Sequence, residues 1–187
     1  MAQPAETLSY LDYLALERGS ETKHEWIDGA VYAMAGGSYE HARLAASFLG
    51  ELRAALRGRP CSVLGSDMRV RILTTRRATY PDASVVCGKP EHPPDDAHAI
   101  VNPVLLAEVT SESTEASDRG EKWAHYQRLP SLQHYLLLSQ TEPRIELFTR
   151  AGGSWTYSSF GPGDTIALPA LDVRLAVDAV YADPAAA

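Results

Sequence analysis

The chain has 187 residues, of which 45% are apolar and 22% charged, a composition that supplies a buried core and excludes an intrinsically disordered protein. Its 17 basic and 24 acidic residues give a net charge of −7, which excludes coating nucleic acid by charge alone and makes any nucleic-acid contact a local one. No apolar run approaches the roughly 20 residues of a membrane helix, and residues 1–9 lack the basic start and apolar centre of a secretory signal, so the expectation is one cytoplasmic domain.

In chain order, residues 9–16 predict a short helix, with Ser9 as cap, Asp12 three residues on, and Leu11, Leu14 and Ala15 on one face. Residues 23–27 and 30–35 flank Asp28-Gly29, a pair that readily adopts positive φ, and predict a β-hairpin. Residues 41–56 repeat apolar side chains at helical spacing from Leu44 to Leu56 and stop at Gly58 and Pro60, which predicts the longest amphipathic helix.

Strands are expected at 61–64, 68–73, 83–87 and 104–110. Cys61 and Cys87 lie in these apolar runs without metal-ligand spacing and read as reduced core thiols. Residues 88–102, rich in proline and acid, read as a surface loop that overhangs a cleft. Residues 115–129 predict a helix ended by Pro130, and 135–138 a buried strand. Segments 145–149, 155–160 and 165–168, punctuated by glycines, predict a C-terminal β-meander, and residues 184–187 a frayed end.

Glu108 interrupts the apolar run Val104-Leu105-Leu106-Ala107 and Val109, which reads as a strand covered on both faces. An unpartnered buried carboxylate costs many kcal/mol, so Glu108 must be protonated, paired with a cation or bound to a metal. Asp82, held extended by Pro81, opens another buried strand. If the two strands are antiparallel neighbours, the start of one lies beside the end of the other and both acids meet. Oxygen ligands placed so suit Mg²⁺ or Mn²⁺, and phosphodiester hydrolysis is the natural reaction class.

Pro81-Asp82 followed by Glu108-Val109-Thr110 resembles the bipartite signature of the PD-(D/E)XK nucleases. More narrowly, the chain resembles the Uma2 family, a group described as restriction endonucleases, through Lys23-His24-Glu25-Trp26-Ile27-Asp28-Gly29, Gly65-Ser66-Asp67-Met68-Arg69-Val70, Tyr80-Pro81-Asp82, Asn102-Pro103 with Glu108-Val109, and Asp118-Arg119-Gly120-Glu121-Lys122. The resemblance implies a restriction-endonuclease-like α/β (α+β) core, a central mixed sheet flanked by helices, and metal-dependent cleavage, most naturally of DNA. It makes Asp82 and Glu108 the metal ligands and these two with Lys122 the catalytic set. The superfamily pattern wants lysine where this chain has Thr110; the resemblance moves that role to Lys122, the only lysine beyond Glu108. Asp118, Lys122 and Tyr126 stand four apart on one helix face. Glu112 departs from the family's usual proline.

Each assignment has a plainer counterpart. Asp82 serves equally as a turn or strand-entry cap, Glu108 as the partner of Arg69 or Arg71, and Lys122 as a helix lysine paired with Asp118. His41, at the start of the long helix, is a second-tier candidate as a phosphate or metal auxiliary. Glu25 and Asp67 read as hairpin and strand-end residues, and Trp26, Trp123 and Trp155 as core aromatics. A homodimer suits a nuclease that cuts a duplex, but no segment of the sequence identifies its interface. The same fold without catalysis, as a nucleic-acid-binding or dimerising module, is the alternative.

Overall fold

The computed structural model describes residues 7–111 and 114–183; the expectations for Glu112 and for residues 184–187 lie outside the described residues. The chain opens with α1 (Tyr10–Gly19), where the Ser9 side chain accepts from the Asp12 amide, and Asp12 in turn accepts from the Ser9 hydroxyl. The hairpin of β1 (His24–Ile27) and β2 (Ala30–Ala33) turns at Asp28 (φ 47°) and Gly29 (φ 100°), the left-handed pair its sequence calls for. Helix α2 (Tyr39–Ala55) begins two residues before the periodic stretch, because Ser38 caps it through the His41 amide.

The strands that follow are β3 (Cys61–Gly65), β4 (Arg69–Ile72), β5 (Arg77–Thr79), β6 (Ala83–Cys87), β7 (Ala99–Ile100) and β8 (Leu105–Thr110). A helix then runs from α3 (Glu115–Ser117) through a π-helical turn (Asp118–Lys122) into α4 (Trp123–Tyr126). Beyond it lie β9 (His134–Ser139), β10 (Ile145–Ala151), β11 (Ser154–Phe160), β12 (Thr165–Leu168), β13 (Val173–Ala176) and α5 (Val177–Tyr181).

Two main sheets result. One is mixed, with strand order β11-β10-β9-β8-β6-β3, and the other runs β2-β1-β5-β4-β7. Strands β8 and β9 are parallel, so the chain between them must cross over, and the α3–α4 helix supplies that crossover. Alternation along β8 sends Leu105, Ala107 and Val109 into a core shared with α2 and the C-terminal hairpin, and Leu106 into a second core shared with Val70, Ile72, Tyr126 and Tyr135. Helix α1 covers the outer face of the smaller sheet through Tyr10, Tyr13 and Leu14 against Trp26 and Ala78. The meander ends at β11: β12 leaves the sheet and pairs only with β13.

Two further expectations change. Residues 88–102 do not simply overhang a cleft, because β7 within them pairs parallel with β4 and the buried Asp96 accepts from the Tyr10 hydroxyl at 2.6 Å and faces Arg69 Nε at 3.2 Å. Cys61 and Cys87 are a disulfide rather than reduced thiols: β3 and β6 pair so that the two residues stand directly opposite, with Cα atoms 4.0 Å apart. No helix among the described residues is long and apolar enough to cross a membrane.

His134 opens β9 fully buried, and burial depresses its imidazole from 6.5 to about 4. Its Nε2 accepts from the Ala170 amide at 3.2 Å, so the neutral ring is the one that fits. The folded-state pKa lies below the unfolded one, so the unfolded chain binds the extra proton and stability is lost as pH falls from 6.5 toward 4. The loss attributable to this group reaches about 3 kcal/mol near pH 4. Urea melts of the native chain and of His134→Gln across this window should diverge, with the shallower pH dependence in the variant.

Candidate active site

Strands β6 and β8 are antiparallel with Ala83 opposite Ala107, and extending that register places Asp82 opposite Glu108. Directly opposed residues share a face, so the two acids point the same way at the end of the two central strands. Asp82 is fixed by the Val109 amide, which donates to its Oδ2 at 2.8 Å. His41 Nε2 lies 3.2 Å from the same oxygen. That hydrogen bond raises the His41 pKa despite partial burial, with the Asp82 charge adding to it, and so favours the imidazolium. Gly37 makes room for the ring: a Cβ there would sit 2.8 Å from His41 Nδ1.

Glu108 is 4% exposed. Its Oε1 accepts from the Tyr126 hydroxyl at 2.6 Å and its Oε2 lies 3.3 Å from Lys122 Nζ. Lys122 also reaches Asp118 Oδ1 at 3.0 Å, and Asp118 is itself only 1% exposed. Burial pushes the Glu108 carboxyl up to about 8, against the pull of Lys122 and with Asp82 and Asp118 adding to the rise. For Lys122, burial favours the neutral amine, but Glu108 and Asp118 outweigh it and hold the ammonium above its ordinary range. The site therefore gathers three acids around one lysine and one histidine and is short of positive charge, which adds to the rise at Glu108.

A divalent cation would supply the missing charge, and the carboxylate oxygens of Asp82 and Glu108 are the hard donors it takes. Among the described residues no three His, Cys, Asp or Glu side chains form a ready-made cage. Mg²⁺ does not need one, since it binds through one or two carboxylates and keeps several waters. The residues fit such an ion.

All four residues singled out from sequence thus come together: Asp82, Glu108, Lys122 and His41. The alternative partners do not, since Arg69 faces Asp96, and Arg71 packs its guanidinium 3.7 Å from the Tyr10 ring centre on the α1 side. The helical spacing of Asp118, Lys122 and Tyr126 survives the π-helical turn: Lys122 and Tyr126 contact Glu108, and Asp118 pairs with Lys122. Sequence reasoning placed Asp118 on the helix face of Lys122 without foreseeing its burial, and it missed Arg77. That arginine, 1% exposed, joins Glu25 of β1 (Nη2 to Oε2, 2.9 Å) to Glu121 of the crossover helix (Nη1 to Oε1, 3.2 Å), while Thr79 donates to Glu25. Glu25 is therefore more than a hairpin residue; it lies close enough to contribute to the field at Lys122. Asp67, by contrast, is an exposed partner of Lys23. Trp123 packs against Tyr135, Phe148 and Trp155, as core aromatics do.

Comparison with known proteins identifies the fold and the family. A crystal structure from Anabaena variabilis, described as "a putative nuclease belonging to DUF820", superposes with a TM-score of 0.74 over 93% of this chain and 98% of its own, at 14% identity. That likeness establishes the fold, a mixed α/β restriction-endonuclease-like core. Two uncharacterised proteins of Synechocystis sp. are similar in sequence: slr1290 is 36% identical over 179 residues (95% of this chain, 93% of its own), and sll1609 is 33% identical over 145 residues (78% and 82%). The family model described as "Uma2: Putative restriction endonuclease" matches residues 10–178. The chain belongs to the Uma2 family.

Proposed function

We propose that the chain is a metal-dependent endonuclease that hydrolyses phosphodiester bonds in DNA, with Asp82 and Glu108 holding Mg²⁺ or Mn²⁺ and Lys122 acting beside them. The observation that carries this reading is the opposition of Asp82 and Glu108 across β6 and β8, with a buried ammonium 3.3 Å from the second acid. When bound, the metal ion would acidify a water and neutralise a phosphate oxygen.

The chain's own residues prepare the site for that chemistry. Lys122, held charged by Glu108 and Asp118, contributes a fixed positive charge that stabilises negative charge growing on the phosphate. It does not act as a base, because its proton is held too tightly. His41, hydrogen-bonded to Asp82 and favoured in its charged form, is a second donor on the same side. The Tyr126 hydroxyl orients Glu108, and the Val109 amide orients Asp82. With a net charge of −7, the protein relies on this local pair of cations rather than on its overall field to meet the phosphate.

The test is nicking of supercoiled plasmid with and without Mg²⁺, comparing the native chain with Asp82→Ala, and RNA beside DNA as substrate. Metal-dependent nicking that vanishes in Asp82→Ala is expected, together with loss of Mn²⁺ binding in calorimetry. Native protein that neither binds Mn²⁺ nor cuts would leave the acids as an ion-paired structural cluster, and cleavage of RNA alone would overturn the choice of DNA.

A further inference from the structure

Strand β11 stands at an open edge of the larger sheet, and its seven residues, Ser154-Trp155-Thr156-Tyr157-Ser158-Ser159-Phe160, include no charge and no proline. Five of the seven are exposed and the other two are half-buried. Exposed sheet edges carry unpaired amides and carbonyls that template pairing with another chain, and proteins usually blunt them with charged side chains, proline, bulges or short length. The other edges are short or covered: β7 has two residues, β2 has four, and β3 is half-buried and tied to its neighbour by the Cys61–Cys87 disulfide. All four edge strands of the two main sheets lack charged residues, and β11 is the longest of them and the one with the most exposed residues.

We infer that β11 is a dimer interface that pairs antiparallel with β11 of a second copy, joining the two six-stranded sheets into one. The inference is independent of the proposed nuclease activity. An antiparallel pairing centred on Tyr157 is self-complementary, as a two-fold interface requires. It sets Tyr157 against the partner's Tyr157, Trp155 against the partner's Ser159, and Thr156 against the partner's Ser158. Every pair is neutral, and the central one is an aromatic pair of the kind that stabilises cross-strand contacts. Tyr157, 56% exposed and resting on Phe148 with ring centres 5.3 Å apart, is already oriented along the sheet surface. The strand itself carries no charge, and the charges beside it on β10 are of both signs and already engaged, Arg150 over the Trp155 ring at 4.4 Å and Glu146 with Arg119, which favours a second copy over nucleic acid or a peptide of one charge.

Sedimentation equilibrium of the full chain over a dilution series tests the inference. The expected mass is twice the 20.3 kDa of one chain, falling toward a single chain on dilution. Thr156→Lys combined with Ser158→Lys places like charges opposite each other on both sides of the two-fold axis, and should weaken the dimer roughly tenfold or more. Both side chains are exposed, so the melting temperature measured at the lowest concentration, where both proteins are monomers, should be unchanged. Mixing this variant with Thr156→Glu/Ser158→Glu should restore a mixed dimer, a rescue that an interface elsewhere on the molecule would not give. A native chain that stays monomeric throughout, or a double-lysine variant that dimerises as tightly as the native chain, would overturn the proposal.

Discussion

Lys122→Met is expected to slow plasmid cleavage by roughly a hundred- to a thousandfold, the usual cost of deleting one preorganised charge aimed at a developing anion. The substitution should also weaken folding, because Lys122 is not a solvated helix lysine but the cation shared by Glu108 and Asp118. The sign of its pH dependence follows from Glu108. Its folded-state pKa is raised above the ordinary carboxylate value, so Glu108 favours the folded state least once pH rises through about 8 and the buried group must ionise. Without the ammonium that ionisation is harder still. The variant's deficit in melting temperature should therefore widen from pH 6 to pH 9. Lys122→Arg, which keeps the charge but changes its shape, should recover most of the folding and only part of the rate. Cleavage at the native rate in Lys122→Met would remove this residue from the mechanism, and a deficit that shrinks with pH would remove the ion pair from the account of stability.

The second large effect concerns the disulfide. Cys61 and Cys87 are 26 residues apart in sequence, and a cross-link closing a loop of that size lowers the entropy of the unfolded chain enough to contribute about 3.5 kcal/mol at 25 °C. Reduction, or the double substitution Cys61→Ala/Cys87→Ala, should lower the melting temperature by roughly 10 °C for a domain of this length. The closed loop contains β4, β5 and Asp82, so the cross-link restrains the segment that delivers the first acid to the site. Melts with and without dithiothreitol are the direct comparison, and coincident curves would show that the bond contributes nothing.

The sequence made some elements legible because their signals are local. The Asp28-Gly29 turn, the Ser9 helix start and the apolar periodicity of α2 all depend on residues within a few positions of one another, and they appear where expected, although α2 starts two residues early at its Ser38 cap. The two acids were legible for a different reason: a carboxylate inside an apolar strand is costly wherever the strand lies, so Glu108 had to have a partner. What that partner is depended on tertiary structure. Lys122 reaches Glu108 from the crossover helix, whereas Arg69 and Arg71, on a strand of the smaller sheet, turn to the α1 side.

Other features were hidden for the same reason. Arg77 looks like a surface residue in the short, polar β5, and it is buried only because two glutamates from distant elements meet it there. Strand β7 has two residues, too few for any periodic signal, and exists because β4 offers it a parallel neighbour. The cysteine pairing could not be read from spacing at all. Once Val63 aligns with Val85, however, the register of β3 and β6 brings residues 61 and 87 together.

The Arg77 link also bears on how the site responds to mechanical load. Its guanidinium is rooted in the smaller sheet, whereas Glu121 rides on the crossover helix one residue before Lys122. Any sliding of one sheet over the other is thus transmitted through this tether to the helix that carries the lysine. The spacing between Lys122 and Glu108 becomes a gauge of how closely the two halves of the molecule are seated.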